Sequence, residues 1–215
     1  DGQWLDDNVG LGLGHRRLAV IDLSAAGYQP MRSDDGRYVI SFNGEIYTHL
    51  ELRHMLHGAE QAPPWRGQSD TETLLAAIAC WGLQTTLKRV NGMFAFALWD
   101  RKTRELHLVR DRLGKKPLYF GWAGDTLVFG SELKALCAHP EFKRELNKDA
   151  LSIYMQYASM QAPHTIYKNV WSLCAGHRIT FALDNLNAGS NLVNEAKPYW
   201  NHLDVLNQGR LKIDN

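Results

Sequence analysis

Asn43-Gly44 is the dipeptide of this sequence whose residue types could most directly take part in a reaction. An asparagine amide and the backbone N–H of a neighbouring glycine can point two donors at one developing oxyanion. Glycine also lets a substrate approach closely, because it has no side chain. The same dipeptide is typical of a tight turn, since both residues tolerate positive φ angles. Glu45, which follows, is either a binding carboxylate or a solvated one, so the residues alone leave both interpretations open.

Two further charged positions could recognise a small ligand. Arg17 stands beside Arg16 just before the apolar stretch at residues 18–21, and its guanidinium could bind a carboxylate through two hydrogen bonds. Asp70 could supply a carboxylate for an ammonium group. The alternatives are a surface arginine pair and an acid that interacts with the dipole of a helix.

Other chemically suggestive residues favour structural interpretations. The charged turn at residues 110–117 has no glycine-rich cradle of the P-loop kind. His54 and His57 have no evident third ligand, so we expect no metal site. The cysteines form no C-x-x-C pair, and we expect reduced, packed thiols. They are Cys80, Cys137 and Cys174.

Two local patterns indicate the elements that position these residues. The β-rich run at residues 38–42 predicts a strand that delivers Asn43 and Gly44 to its end. Ser69-x-x-Glu72 is a capping-box pattern that opens a helix with apolar residues at helical spacing and Gly82 just beyond its end. Asp70 should therefore lie in the first turn of that helix. The apolar residues 18–21 predict a buried strand.

The rest of the chain predicts an α+β fold. Residues 93–99 and 105–109 should form one hairpin, and residues 118–122 and 126–129 another. Helical patterns occupy residues 49–56, 131–137 and 148–157, and one more strand is expected at residues 178–181. Helices between groups of hairpins are typical of helices that cover antiparallel sheets. The asparagine-rich segment after residue 183 predicts a division into a domain at residues 1–183 and a linker at residues 184–215.

Composition limits the class of partner. The chain has 215 residues, 45% of them hydrophobic, and a formal net charge of +1. A net charge this close to zero produces no broad electrostatic field that would attract nucleic acid or an anionic membrane. A small neutral or zwitterionic ligand fits better. No apolar run approaches the roughly 20 residues that span a bilayer. We therefore expect a soluble, cytoplasmic protein with no nucleic-acid partner, and a homodimer is left open.

Six ordered blocks, taken together, resemble a known family. One of them is Phe42-Asn43-Gly44-Glu45-Ile46-Tyr47, and the others are residues 12–22, 69–72, 91–100, 110–119 and 131–136. Their order and spacing look like the class II, N-terminal-nucleophile glutamine amidotransferase domain of glutamine-hydrolysing asparagine synthetases. The resemblance implies a four-layer αββα sandwich of two antiparallel sheets, like that of the N-terminal-nucleophile hydrolases.

The resemblance also implies a chemistry and a set of site residues. In that family an N-terminal cysteine attacks the side-chain amide of glutamine through a thioester, with its own α-amino group as base. Asn43 and Gly44 match the oxyanion hole, and Arg17 matches the residue that binds the α-carboxylate. The positions that hold the α-ammonium are matched by Asp70 and Glu45. The strand positions that line the pocket are matched by Val20 and Ile21.

Two departures from the family pattern lead to further expectations. The opening Met-Cys-Gly-Ile block is absent, so we expect a truncated domain that lacks its N-terminal strands and its nucleophile and is inactive as given. The ATP-pyrophosphatase loop of a synthetase domain is absent as well. No cofactor is therefore expected in this domain, and ATP and magnesium are expected only in a C-terminal synthetase domain of the same polypeptide.

Two alternatives of different classes remain. One is a non-catalytic amidotransferase-like module of a synthetase, which the retention of Arg17, Asn43, Gly44 and Asp70 disfavours. The other is a nucleic-acid-binding domain built on the basic residues of the turn at 110–117. That class is disfavoured because no aromatic stacking platform adjoins these residues. The amide acceptor is open between aspartate and a cell-surface polysaccharide precursor.

Overall fold

The computed structural model describes residues 2–17 and 22–213 of the chain. The strands are β1 (Gly2–Asp6), β2 (Leu11–His15), β3 (Met31–Arg32), β4 (Tyr38–Ile46), β5 (Gly92–Asp100), β6 (Glu105–Arg110), β7 (Tyr119–Ala123), β8 (Thr126–Gly130), β9 (Val170–Ser172), β10 (His177–Ala182) and β11 (Lys197–Pro198). The α-helices are α1 (His49–Gly58), α2 (Asp70–Trp81), α3 (Leu83–Arg89), α4 (Leu133–Leu136), α5 (Lys148–Tyr157) and α6 (His202–Ile213). In the described part of the chain, no helix is long and apolar enough to cross a membrane.

The strands form antiparallel sheets. The larger sheet has six strands in the order β11-β10-β6-β5-β4-β3, and a second sheet has three in the order β8-β7-β9. Within the larger sheet, β4 and β5 pair along their whole length, from Tyr38 opposite Asp100 to Ile46 opposite Gly92. The hairpin of β1 and β2 forms a separate pair of strands. Both hairpins predicted in the middle of the chain are confirmed.

The two faces of the larger sheet bury different clusters, because side chains alternate along a strand. One face packs against helices. This cluster includes Ile40, Phe42 and Ile46 of β4, Leu52 of α1, Leu75 and Ile78 of α2 and Leu87 of α3. The other face packs against the second sheet. This cluster includes Val39 of β4, Trp99 of β5, Leu108 of β6 and Phe120 and Trp122 of β7. The short α4 contacts β7 and β8 of the second sheet. These layers confirm the predicted α+β sandwich of antiparallel sheets.

The predicted strand and helix around the candidate residues are present, with two corrections. The strand does not end at Asn43-Gly44, because β4 continues to Ile46 and Gly44 is paired with Phe94 inside it. The tight-turn interpretation of Asn43-Gly44 is therefore wrong. β5 pairs with β4 on both sides of the dipeptide, so Asn43-Gly44 lies inside a strand and does not close a turn. The predicted strand at residues 18–21 lies outside the described residues.

The capping box at the start of α2 is only half formed. Ser69 caps the helix as predicted, since its side chain accepts hydrogen bonds from the N–H groups of Thr71 and Glu72. The Glu72 carboxylate does not reach back to the Ser69 N–H. It accepts instead from the backbone N–H groups of Arg66 at 2.8 Å and Gly67 at 3.1 Å. The loop before the helix supplies more donors to this buried carboxylate than the cap residue does.

The segment after residue 183 packs against the sheets. Leu192 is buried in the cluster between the two sheets. Trp122 Nε1 donates a hydrogen bond to the carbonyl oxygen of Ser190 at 2.8 Å, and the Tyr199 hydroxyl donates to that of Arg110 at 2.8 Å. The division of the chain at residue 183 stays a prediction.

Candidate functional site

One edge of β4 carries backbone N–H groups that are capped by side chains. Phe42 N–H donates to Gln29 Oε1 at 2.6 Å, and Ile46 N–H donates to Asp70 Oδ2 at 2.9 Å. β3 is too short to supply these acceptors, because it pairs with β4 only opposite Val39 and Ile40. Side chains from two other segments therefore continue the hydrogen bonding of this edge.

The N–H group of Gly44 lies on the same edge, between those of Phe42 and Ile46. Its cross-strand neighbour, Phe94, directs its own N–H and carbonyl to Asp111 on the far side. Because backbone groups alternate along a strand, the Gly44 N–H points away from β5. Within residues 2–17 and 22–213, no acceptor binds this N–H. It is held in place by its capped neighbours, and none of the described residues occupies it.

Glycine is required at position 44 by the packing of β4 against β5. A Cβ atom there would overlap the carbonyl oxygen of Met93 and would lie 2.6 Å from Phe94 Cα. Both of these atoms belong to the backbone of β5, which is paired on both sides, so they cannot move aside cheaply. Gly44 thus allows the close pairing of the two strands.

The Asn43 side chain lies on the face of β4 that is directed toward the second sheet. Its Nδ2 donates a hydrogen bond to Ser131 Oγ at 3.1 Å, and Ser131 directly follows β8. A carboxamide has two N–H donors, so one remains for another acceptor. The contact between the sheets fixes the direction of this amide. A side-chain amide N–H and a backbone N–H on consecutive residues are the kinds of donor that an oxyanion hole uses.

Asp70 is a buried acid at the start of α2, with 6% of its surface exposed. Its Oδ1 accepts a hydrogen bond from the Thr71 N–H at 2.8 Å, in addition to the bond from Ile46. Burial raises the pKa of this carboxyl above its ordinary value, despite both backbone hydrogen bonds. Nearby Glu45 also raises the pKa, and His49 lowers it. A ligand cation at this position would offset the cost of burying the carboxylate.

Arg17 is held by its own loop. The guanidinium donates to the carbonyl oxygen of Ser24 at 2.9 Å and to that of Asp22. Asp22 Oδ2 in turn accepts from the N–H of Gln68 at 2.9 Å, two residues before Asp70. These bonds connect the Arg17 loop to the segment that leads into α2. They leave further guanidinium donors for a ligand, since arginine has five N–H groups.

The structure therefore brings most of the predicted site residues toward one end of β4. Asn43, Gly44 and Glu45 are consecutive in that strand, and Asp70 is bonded to its last residue. Val20 and Ile21 lie outside the described residues, so their predicted place in the pocket stays a prediction.

The basic turn at residues 110–117 is occupied by structural contacts. The Arg110 guanidinium donates to the carbonyl oxygens of Lys116, Gly114 and Leu173 at 2.6–2.9 Å. The buried Asp111 carboxylate accepts from four backbone N–H groups. These belong to Phe94, Leu113, Lys115 and Lys116. These contacts agree with the structural interpretation of the turn. In the described part of the chain, no group of three His, Cys, Asp or Glu side chains is arranged to hold a metal ion.

The three cysteines are free thiols. Cys80 lies near the end of α2 opposite to Asp70, and a helix rises about 1.5 Å per residue, so its thiol is far from that acid. Its Sγ donates to the carbonyl oxygen of Gln61 at 3.1 Å. Burial raises the pKa of the Cys174 thiol, which keeps it protonated at neutral pH.

Comparison with known protein families shows which family the chain belongs to. Residues 1–200 match the family described as the glutamine amidotransferase domain. The chain belongs to this family. The matched range includes every predicted site residue, and the amidotransferase assignment made from the six sequence blocks is confirmed.

Curated relatives of this amidotransferase domain are much longer than the chain. Asparagine synthetase [glutamine-hydrolyzing] 3 of Bacillus subtilis is 38% identical over 177 residues, which cover 81% of this chain and 28% of the relative. Asparagine synthetase [glutamine-hydrolyzing] 2 of the same organism is 34% identical over 209 residues, which cover 94% and 26%. The chain thus spans about a third or less of the length of the curated relatives it matches.

The amidotransferase fold also agrees with a solved structure. Glutamine phosphoribosylpyrophosphate amidotransferase from B. subtilis, complexed with ADP and GMP, superposes with a TM-score of 0.57 and covers 86% of this chain and 34% of that one. The two sequences are only 18% identical, so the likeness shows the fold alone. It confirms the expected N-terminal-nucleophile hydrolase-like architecture.

Two residues of the candidate site were not predicted. Ser131 fixes the Asn43 amide, and Gln29 caps the strand edge beside it. Ser131 opens one of the six family blocks, but its partner is 88 positions away in the chain. Gln29 lies in a loop without periodicity. Only the tertiary fold brings either residue to β4.

Proposed function

We propose that this amidotransferase domain hydrolyses the side-chain amide of glutamine to glutamate and ammonia. The observation that carries the proposal is the pair of donors at one end of β4. Asn43 Nδ2 and the Gly44 N–H, which no described residue binds, lie on the strand whose last residue is bonded to the acid Asp70. Donors placed in advance around a developing oxyanion stabilise the transition state of acyl transfer more than the planar amide.

Recognition of glutamine follows from the charges around these donors. The α-ammonium group would pair with Asp70 and Glu45, because two nearby carboxylates with a raised Asp70 pKa favour a cation between them. The α-carboxylate would accept hydrogen bonds from Arg17, whose guanidinium keeps donors after those used by its loop. Val20 and Ile21 would line the pocket. The opposite charges would then hold the two ends of the amino acid and direct its side chain to the donor pair.

The covalent steps need a thiolate with an adjacent base. The base takes the thiol proton and the sulfur attacks the amide carbon; the C–N bond then breaks as the –NH2 group takes that proton and leaves as ammonia. Water then hydrolyses the thioester to glutamate and the free thiol. Cys80, Cys137 and Cys174 are internal, so none has a free α-amino group to act as base. We therefore propose that an N-terminal cysteine outside these 215 residues supplies the nucleophile, and that the 215-residue chain alone does not hydrolyse glutamine.

The ammonia would serve a second domain of the same polypeptide. The relatives named above are glutamine-hydrolysing asparagine synthetases several times longer than the matched region, which supports this arrangement. The second domain would use ATP and magnesium to activate the acceptor, and we propose aspartate as that acceptor. No resident cofactor is proposed for the amidotransferase domain, and we propose a cytoplasmic location for the whole protein.

The test is glutamate release from glutamine by the full-length protein, in parallel with amide synthesis from glutamine or from ammonium. We expect glutamate release that matches amide formation. Asp70→Asn should weaken productive binding of glutamine and leave synthesis from ammonium intact, because the second domain does not use this pocket. A full-length protein that makes the amide from ammonium but releases no glutamate would contradict the proposal and support the non-catalytic module.

A further inference from the structure

We infer that Gln29 is a positioning residue for glutamine hydrolysis, which fixes the oxyanion donors of β4 relative to the acid at the start of α2. The inference rests on the proposed function. Gln29 lies in the loop before β3, is half-buried, and was assigned no role by the sequence motifs. Its carboxamide is hydrogen-bonded to a residue next to the proposed oxyanion donors and to a residue next to Asp70.

The Gln29 carboxamide connects strand and helix through both of its ends. Oε1 accepts a hydrogen bond from the backbone N–H of Phe42 at 2.6 Å. Nε2 donates to Thr71 Oγ1 at 3.3 Å. Phe42 immediately precedes the oxyanion residues Asn43 and Gly44, and Thr71 immediately follows Asp70. One side chain therefore sets the spacing between the segment that would stabilise the oxyanion and the segment that would bind the ammonium group.

A second connection acts in parallel. Asp70 Oδ2 accepts from the N–H of Ile46, four residues after Phe42 on the same strand edge. The two connections bracket residues 43–45 and leave the Gly44 N–H between them without a described acceptor. With one connection lost, the spacing between this edge of β4 and the start of α2 depends on the other alone. With both present, the edge has a fixed distance and direction relative to α2.

The backbone of Gln29 is itself held against the first hairpin. A Cβ atom on Gly2 of β1 would overlap the carbonyl oxygen of Gln29, so the two segments are in close contact. The carboxamide therefore extends from a fixed base into the gap beyond the end of β3. A side chain with this support can orient its neighbours, because its own position is constrained by packing.

The expected kinetic signature distinguishes positioning from binding. Gln29 is not among the groups that pair with the charged ends of glutamine, so its loss should change transition-state stabilisation more than substrate affinity. In the full-length protein, Gln29→Met should lower kcat for glutamine hydrolysis by about 10- to 100-fold, the range expected when reacting groups are slightly misplaced. KM for glutamine should change little, and amide synthesis from ammonium should keep its rate.

Three variants complete the experiment. Gln29→Glu keeps an acceptor for the Phe42 N–H and should recover most of kcat. Thr71→Val removes the other partner, and its effect should be non-additive with that of Gln29→Met. Gln156→Met, the same substitution on an exposed face of α5, is the matched control and should have no effect. Amide hydrogen exchange at Phe42 should quicken in Gln29→Met and not in the control.

The outcomes separate the inference from the proposed function. No glutamate release by the unmodified full-length protein would overturn the proposed function itself. An active protein in which folded Gln29→Met keeps its kcat would overturn only the inference. A proportional loss of the glutamine and ammonium reactions would show a general structural role and would also overturn it. So would a fall in kcat with unchanged exchange at Phe42.

Discussion

The Asp70 carboxylate accepts a hydrogen bond from the backbone N–H of Ile46 at 2.9 Å, across 24 positions of the chain. Ile46 is two residues beyond Gly44, so the bond places a buried acid at the end of the strand that carries the candidate oxyanion donors. Besides Ile46 and Thr71, no described residue donates to this carboxylate, so lone pairs remain for an ammonium group. Its ionisation then becomes a condition for binding the substrate.

The pH dependence of glutamine binding should follow from the raised pKa of Asp70. Only the ionised carboxylate attracts the ammonium group, so KM for glutamine should rise as the pH falls through this pKa. The rise should begin above the range in which an ordinary aspartate titrates, about pH 3.9. Asp70→Asn should show a high KM with no such dependence. A KM profile of the unmodified protein that stays flat into the ordinary aspartate range would contradict the assignment.

Gly44→Ala should destabilise the domain. The added Cβ would overlap the Met93 carbonyl oxygen of β5. Overpacking of this kind lowers the unfolding free energy by about 1–3 kcal/mol. Gly14→Ala in β2 is the matched control, because a Cβ there meets nothing within 4 Å. Chemical denaturation of the two variants checks this. Equal unfolding free energies would show that the close contact between β4 and β5 does not require glycine.

Ser131→Ala should lower turnover with glutamine. It removes the acceptor that directs Asn43 Nδ2, at 3.1 Å, and leaves the amide free to rotate. A fall in kcat of about fivefold to tenfold is expected for one lost hydrogen bond of about 1 kcal/mol. Ser190→Ala is a suitable control, since only the backbone carbonyl of Ser190 is used by Trp122. Unchanged kcat in Ser131→Ala would show that Asn43 is oriented by other contacts.

The free energy of unfolding should decrease at acid pH because of His107. Burial lowers the pKa of this histidine, and its Nδ1 lies 2.9 Å from Thr180 Oγ1. Below the unfolded pKa of about 6.5 the unfolded chain binds a proton that the folded chain excludes. The unfolding free energy should therefore fall as the pH drops below this value, by up to about 1.4 kcal/mol per pH unit for one proton.

A titration of stability in two variants checks the role of His107. His107→Gln should flatten the pH dependence, whereas His54→Gln, at an exposed position, should leave it unchanged. A pH dependence that is the same in His107→Gln and in the unmodified protein would assign it to other groups.

The local elements of this fold could be predicted from sequence, because short-range patterns determine them. The period of apolar residues and the Ser69 cap were enough to place α2, and alternation with turn residues was enough to place the hairpins. The contacts that complete the site were not predictable in this way. Ser131 and Asn43 are 88 positions apart, and Gln29 and Thr71 are 42 apart. Such pairs depend on how the sheets and helices stack.

The interpretation of single residues shows the same limit. Asn43-Gly44 has the local signature of a turn, but the nine residues of β5 pair with β4 and extend the strand through it. Glu72 has the spacing of a capping box, but the N–H groups of Arg66 and Gly67 occupy its carboxylate. In both cases a long-range or loop partner outweighs the local preference.

The most direct test of the central claim is the Asn43→Ala variant of the full-length protein, measured with glutamine and with ammonium as nitrogen source. Loss of one oxyanion donor should lower kcat with glutamine by about 10²–10³-fold, because that donor acts mainly in the transition state. KM for glutamine and the rate with ammonium should stay near those of the unmodified protein. An unchanged kcat with glutamine, or an equal loss with both nitrogen sources, would contradict the assignment of this site to glutamine hydrolysis.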